Sequence, residues 1–442
     1  MVWFKITTLG CKVNQSESET IRQELQASGW RPVAKGQPAD VVVVNTCTVT
    51  GKAGMQSRQS LRRAIRENPG ARIVVTGCHA QTAPRELAGI AGVSEVIGNT
   101  HKHAISSLLT AGARNPPGPA KTFCGSMPPP PPFRWAPAVE SLGRTRAFLK
   151  IQDGCNANCS YCIVPRARGA SRSMPFRQVL ASLQALADNG YREAVLAGIH
   201  LGRYGLDLTP PSSLQQLLQA VIAAAPIDRI RLSSIEPLEI HREIIALAAE
   251  HPMICRHFHI PLQSGDDGVL TRMRRPYRTD YFRSLILEIH RRMPDAAIGV
   301  DVMAGFPGET DAAFCGTLEL IRQLPVSYLH VFHFSARPGT PAGAFPDQVP
   351  AAVVKSRCRQ LRELGDLKRR EFYQKFVGSK VQVLVETKRD PVTGRLKGIT
   401  SNYLPVLIAG GDRRMNRLLR VRIESMKGNR LLGAVAEANH RK

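Results

Sequence analysis

The sequence predicts an α/β protein in three parts. These are an open α/β domain at residues 1–113, an incomplete (β/α)6 barrel at 141–374 and a small β-barrel at 375–442, with a proline-rich linker at 114–140. Three observations carry this. Short apolar runs alternate with amphipathic stretches through the first hundred or so residues, as in an open α/β layer. From Arg146 there are six strand-helix units, fewer than the eight that close a full barrel. The tail then shifts to short strands separated by Gly and Asp, such as Val381–Val385, Leu404–Ile408, Leu419–Ile423 and Leu431–Val435, a pattern that suits a small β-barrel.

In the first part, three strand runs end on a cysteine: Cys11 after Phe4–Gly10, Cys47 after Val41–Thr46 and Cys78 after Ile73–Gly77. Ligands collect at the carboxyl ends of parallel strands, so the three thiols converge on one sheet edge. Helix N-termini there favour thiolate and cluster charge. Any one of them alone would be an ordinary small core residue; the repeated position points to a three-thiolate site. Asn115–Pro119 and Pro128–Pro132 are too proline-rich for helix or central strand and read as a spacer, with Cys124 an incidental thiol inside it.

The barrel strands are Ala147–Ile151, Ala194–Gly198, Arg229–Ser233, Arg256–Ile260, Ile298–Val302 and Tyr328–His333, with helical stretches such as Arg177–Asn189 between them. A laterally open barrel of this kind puts every strand end on one face and admits a large substrate. Directly after the first strand comes Gly154–Cys162, where Cys155, Cys159 and Cys162 are separated by three and then two residues. Thiolates select zinc, copper(I) or iron-sulfur clusters. Structural zinc takes four ligands, so that reading needs a fourth from elsewhere in the chain. A 4Fe-4S cluster on three thiolates leaves one iron open to a substrate or cofactor. The residues alone leave both readings standing, beside that of three unrelated core cysteines.

Asp301–Thr310 closes the fifth strand with glycines that permit close backbone approach to a ligand, or simply a strand-turn-helix joint. Ser233–Pro237 and His259–Gly265 place polar groups at two other strand ends. His200, His257, His259, His330 and His333 read as satisfied core or surface residues rather than metal ligands. Arg166, Arg168 and Arg172 follow the cysteine loop, as phosphate contacts at the mouth of the site or as a solvated loop.

A formal charge of +25 implies a polyanionic partner, nucleic acid before membrane surface. Residues 375–442 carry fifteen Lys/Arg against five Asp/Glu. This basic module reads as an RNA-binding handle, with Lys397, Arg413, Arg414 and Arg417 as contacts, or as a solubilising, oligomer-forming barrel. No run approaches the roughly eighteen apolar residues of a membrane span, and the start lacks a signal peptide's order, so the expected location is cytoplasmic with no membrane partner. Ten cysteines in a chain this long are no disulfide scaffold.

The Cys155–Cys162 loop resembles that of the radical S-adenosylmethionine (radical SAM) enzymes. With the first triad added, the chain resembles, end to end, the radical SAM methylthiotransferases, whose parts are an auxiliary-cluster domain, a radical SAM core and a C-terminal TRAM domain. The resemblance implies a SAM-cleaving 4Fe-4S cluster on Cys155, Cys159 and Cys162. It implies a second 4Fe-4S cluster, carrying the sulfur to be inserted, on Cys11, Cys47 and Cys78. Tyr161, Gly198, Ser234, Gln263, Gly305 and Pro307 fall where SAM contacts are expected; no catalytic side chain beyond the clusters is assigned. Thr8–Asn14, Gly198–Gly202 and Cys162–Gly169 are similar to the branch acting on N6-threonylcarbamoyladenosine, next to the anticodon of tRNA. The implied reaction replaces C2–H of the adenine by S–CH3, with an electron donor such as flavodoxin or ferredoxin and a sulfur donor as further partners. The alternatives are another tRNA adenosine such as N6-isopentenyladenosine, a ribosomal protein, and a non-catalytic iron-sulfur or zinc protein that binds RNA. The basic tail argues against a protein substrate.

Overall fold

Val41–Thr46 is buried at every position. An unbroken apolar run of this kind belongs at the centre of a parallel sheet covered on both faces. The computed structural model, which describes residues 1–34, 36–111, 118–125, 133 and 144–436, places it there. The first sheet contains β1 (Trp3–Thr8), β2 (Arg31–Pro32), β3 (Val41–Thr46), β4 (Arg72–Gly77), β5 (Glu95–Ile97) and β6 (Lys121–Phe123), in the order β2-β1-β3-β4-β5-β6. All pairs are parallel. The chain leaves β1 for β2 on one side and returns to β3 on the other. The strand order therefore reverses between β1 and β3, where open sheets of this type bind ligands. Helix Gly51–Glu67 starts after Thr50, whose side chain accepts from the Ala53 amide at 3.1 Å and so caps it.

The segment read as linker is only partly spacer. Lys121–Phe123 pairs with β5 as an edge strand, and Cys124 follows it with Sγ 3.5 Å from the Ala80 carbonyl, packed on the domain core. Those three paired residues are too short to stand out from the prolines around them. Residues 115–117 and 128–132 lie outside the described residues.

The barrel strands are β7 (Arg146–Lys150), β10 (Glu193–Ala197), β11 (Arg229–Leu232), β12 (His257–Gln263), β13 (Ala297–Ala304) and β14 (Tyr328–His333), with the short β8 (Gln152–Asp153) and β9 (Arg172–Ser173) before β10. Two parallel three-stranded sheets, β7-β10-β11 and β12-β13-β14, are joined by Ile230 N donating to Met253 O at 2.7 Å and Ile235 N to His259 O at 3.0 Å. Six parallel strands thus run in sequence order, as the six strand-helix units predict. The pair β8–β9, antiparallel, closes the base of the cysteine loop between them. Helix Ala351–Gln374 packs on β13 and β14.

The tail forms a closed five-stranded barrel from β15 (Lys380–Arg389), β16 (Leu396–Thr400), β17 (Pro405–Ile408), β18 (Leu418–Lys427) and β19 (Arg430–Val435), ordered β15-β16-β17-β19-β18. The strand absent from the sequence reading is β16, whose Lys397 and Gly398 interrupt the apolar run. This barrel docks under the half-barrel. Arg231 donates to the Ser401 and Thr400 carbonyls at 2.8 and 2.9 Å, the Arg256 amide to Ser401 Oγ at 3.0 Å, and Asn402 to the Asp295 carbonyl at 2.8 Å. Arg256 and Asp295 precede β12 and β13, so the basic module sits at the end of the strands opposite the cysteine loop.

Candidate metal centres and the cavity between them

Cys11, Cys47 and Cys78 follow β1, β3 and β4, three adjacent strands around the reversal point. Gly10 and Gly77 precede two of them with φ of +99° each. A Cβ at Gly10 would lie 2.7 Å from Cys47 Cβ, and one at Gly77 only 2.3 Å from the Thr46 carbonyl, so glycine alone lets these thiols approach. Asn14 ties the set together: its Nδ2 donates to the Leu9 and Thr46 carbonyls at 2.8 and 3.0 Å. Cys47 and Cys78 are buried while Cys11 opens to solvent. Burial pushes the Cys47 thiol up to about 11, and Cys78 and Cys11 beside it act in the same direction. The nearest side-chain partners of Cys11 and Cys78 are amides, Asn14 Oδ1 at 3.9 Å and Asn99 Nδ2 at 3.8 Å. Three soft donors with amides around them fit a cluster held by three thiolates with one iron open.

The second triad lies on the loop between β8 and β9. Cys155 Sγ meets His200 Nδ1 at 3.2 Å and accepts from the Ala157 amide at 3.3 Å, and Cys159 Sγ accepts from Arg275 at 3.3 Å. Arg275 also pairs with Glu236. Burial drives the Cys162 thiol up to about 12. Donors to sulfur stabilise thiolate ligands, so this loop fits a cluster as well. Sequence reasoning passed over Arg275, took His200 for a satisfied histidine and placed Glu236 only among polar groups at a strand end; Arg275 reaches the loop from beyond helix Asp267–Arg272.

Between the triads lies a cavity of about 210 Å³. Val49 and Thr50, just past Cys47, form one wall; Tyr161, Cys162, Gln263 and Asp301 form another, beside Phe332 and Phe334. Of the expected SAM contacts, Tyr161 and Gln263 line this cavity, Tyr161 edge-on to Phe306 at 6.4 Å. Ser234 Oγ lies 3.1 Å from His259 Nδ1, at the end of β11. Gly198 lies against Gln152, and a Cβ at Gly305 would lie 2.4 Å from Val354, so its open side faces helix Ala351–Gln374. Pro307 is buried in the turn after β13.

His259 and His330 both reach Asp301 Oδ1, at 2.8 and 3.4 Å, and His257 meets the Tyr328 hydroxyl at 2.7 Å, so these histidines have partners. The first three could together hold a cation.

The arginines after the cysteine loop divide. Arg166 is exposed, donating to the Pro338 carbonyl at 3.1 Å. Arg168, expected to touch phosphate, is 1% exposed. It donates to Asn14 Oδ1 at 2.5 Å, Glu17 Oε1 at 2.9 Å and Asp153 Oδ1 at 2.8 Å. Arg172 donates to Asp153 Oδ2 at 2.8 Å. Arg168 is a correction: buried Glu17 and Asp153 claim its guanidinium and fasten the barrel to the first domain, whereas Arg172 stays partly exposed and bonds within the barrel. Glu17 is also met by Lys102 at 2.6 Å and Lys150 at 3.2 Å. Burial would raise the Glu17 carboxyl, but Arg168 and the two lysines hold it well below its ordinary value. On the terminal barrel, Arg413 and Arg417 are exposed, Arg414 donates to the Ala409 carbonyl at 3.2 Å and Lys397 pairs with Glu386 at 3.3 Å.

A thiol triad on the loop of an open half-barrel, with a second triad at the strand ends of the first domain, is the arrangement of a radical SAM protein, and the Radical SAM superfamily model matches residues 149–321. The model of Uncharacterized protein family UPF0004 matches residues 3–98. The chain is 38% identical to threonylcarbamoyladenosine tRNA methylthiotransferase MtaB of Bacillus subtilis, over 94% of this chain and 92% of that one. It is 36% identical to the protein of the same name from Aquifex aeolicus, over 94% and 98%. The chain belongs to the radical SAM methylthiotransferase family. A solved structure of the radical SAM methyltransferase TsrM from Kitasatospora setae has the same fold, with a TM-score of 0.59 at 16% identity over 78% of this chain and 75% of that one. Family membership brings SAM and two 4Fe-4S clusters in place of zinc. No helix among the described residues is long and apolar enough to cross a membrane.

Proposed function

We propose that the protein is a tRNA methylthiotransferase that converts N6-threonylcarbamoyladenosine, next to the anticodon, to its 2-methylthio derivative. The observation that carries this is the cavity between the triads, with Thr50 three residues from Cys47 on one wall and Cys162 on the other. The relatives' shared name supports the choice of nucleoside. When bound, the two clusters and SAM supply the electron, the radical and the methylated sulfur that an adenine C2–H, which has no acidic proton, requires.

The chain's own residues bind, orient and exclude water. A base reaching this cavity must leave the anticodon stack, and Tyr161, Phe332 and Phe334 offer aromatic surfaces to receive it. Arg275 and His200 fix the thiols of the second triad, and Asn14 fixes the first. The basic barrel at the far end of the strands would hold the tRNA body through phosphates, with exposed Arg413 and Arg417 as contacts. A flavodoxin or ferredoxin would supply electrons, and a separate donor would restore sulfur.

Mass spectrometry of tRNA nucleosides from cells with and without the gene tests this. Loss of 2-methylthio-N6-threonylcarbamoyladenosine, restored by the gene, is expected. Loss of the 2-methylthio derivative of isopentenyladenosine instead, or an unchanged tRNA profile, refutes the assignment.

A further inference from the structure

A second cavity, of about 560 Å³, opens beside the Cys155–Cys162 loop. Asn156, Ala157, Asn158 and Cys159 line it, with Arg203 and Leu206 after β10, Leu238 after β11, and Arg274 and Arg275 beyond helix Asp267–Arg272. It shares no residue with the cavity between the triads: Cys162 lines that one and Cys159 this one. Among the described residues, none from the first domain or the terminal barrel lines it, and none of those expected to touch SAM does. A cluster on this triad is therefore approached from two directions, one through the cavity between the triads and the other through this one.

The charges deep in this second cavity pair with one another. Glu236 is held by Arg275, which also donates to Cys159 Sγ at 3.3 Å, and His200 Nε2 lies 2.7 Å from Glu239 Oε1. Arg203 and Arg274 are exposed and have no ion pair among the described residues. The turn at Arg274, with φ of +57°, sends successive arginines apart: Arg275 goes in to the thiol and Arg274 out to solvent. The lining thus carries two positive charges in excess. Leu206 and Leu238, in the same lining, are 55% and 37% exposed, and the Tyr281 hydroxyl lies 3.5 Å from the Pro237 carbonyl beside them. Exposed apolar groups with basic residues around them, over a metal-ligating thiol, have the make-up of a transient protein contact.

We propose that this face receives a one-electron carrier protein with an acidic surface, of the flavodoxin or ferredoxin class, and that electrons enter the cluster at Cys159; this rests on the electron donor and the cluster proposed above. Leu206, Leu238 and Tyr281 would seat the carrier, and Arg203 and Arg274 would meet its carboxylates. The carrier's reduced flavin or iron centre loses one electron and the 4Fe-4S cluster gains it, with no bond made or broken in this chain. Entry from this side leaves the cavity between the triads free for the nucleoside. Transfer RNA is the other polyanion of the reaction, but the exposed leucines offer nothing to phosphates, and the basic terminal barrel contributes no residue here.

The test uses the full-length, cluster-loaded enzyme and a fully reduced bacterial flavodoxin, mixed without oxygen in a stopped-flow instrument that follows flavin oxidation and cluster bleaching. Reduction should saturate with flavodoxin and slow as salt rises. Arg203→Glu with Arg274→Glu should raise the half-saturating flavodoxin concentration about tenfold or more and flatten the salt dependence. Dithionite, a small reductant that needs no docking, should reduce wild type and variant at the same rate. Leu238→Glu should act like the double variant and replaces it if that protein fails to load, as read by iron content. Unchanged reduction by flavodoxin in a loaded variant overturns the proposal, as does a wild type that takes electrons from neither flavodoxin nor a reduced ferredoxin. Equal slowing with dithionite would mean that the arginines act on the cluster itself, and weaker tRNA binding with intact flavodoxin kinetics would assign them to RNA; either result overturns it too. Separately, if alanine at Cys155, Cys159 and Cys162 left reduction by flavodoxin at the wild-type level, the electron would enter elsewhere and the cluster reading itself would fall.

Discussion

Replacing Arg168 by Met removes one cation from between two buried carboxylates, with Glu17 7% and Asp153 1% exposed. Stripping one partner from a buried ion pair costs about 3–5 kcal/mol. Here each carboxylate keeps two other cations: Lys102 and Lys150 for Glu17, Lys150 and Arg172 for Asp153. The low end, about 3 kcal/mol, therefore applies. Because these bonds join helix Lys12–Ala27 to the barrel, the loss should appear as local opening of that helix. Its amides should exchange about 150-fold faster in hydrogen-exchange mass spectrometry of the loaded protein. The salt dependence of tRNA affinity should not change, since a residue bonded this way releases no counterions on binding RNA. Unchanged exchange, together with a salt slope reduced by about 0.7–0.9, would mean that Arg168 contacts phosphate and that the buried network is misread.

Alanine at Cys11, Cys47 and Cys78 should lower iron from about eight to about four per chain and abolish the methylthio product while 5'-deoxyadenosine still forms; product at the wild-type level would remove the first triad from the reaction. Alanine at Cys155, Cys159 and Cys162 should also halve the iron but abolish SAM cleavage, as read by chromatography of 5'-deoxyadenosine. Burial would raise the Glu193 carboxyl, but Arg231 and Arg229 outweigh it and bring it down to about 2. The stability this pairing contributes is therefore full above the ordinary glutamate value near 4.5 and is lost as pH falls toward 2. Glu193→Gln should be less stable near neutrality and lose less between those pH values, in acid titrations followed by circular dichroism. Arg413→Ala with Arg417→Ala should flatten the salt dependence of tRNA affinity and leave the melting temperature unchanged; an unaltered slope would assign these charges to solubility.

Both triads were legible because cysteines at strand ends, or three within eight residues, leave a local trace. The six barrel strands were legible for the same reason: runs such as Tyr328–His333 carry their own signal. Arg168 was not. What buries it is Glu17, 151 positions earlier, and from the sequence it looks like any arginine in a basic loop. Lys121–Phe123 was hidden among prolines, and the docking of the terminal barrel rests on carbonyls of Ile399–Ser401, which have no side-chain signature.

The Asn14 clasp bears on how the enzyme ages. Its bonds to Leu9 and Thr46 are made by amide groups alone, and Asn45 adds another by donating to the Asn14 carbonyl at 2.9 Å. No sulfur or metal takes part. In small metal-folded modules, stripping the ion unravels the chain; here the turn carrying Cys11 stays tied to the strand end that precedes Cys47. If the first triad holds the sulfur-giving cluster proposed above, a centre consumed in turnover could then be rebuilt in place many times by the same polypeptide. The organism would replace inorganic atoms rather than a protein of 442 residues.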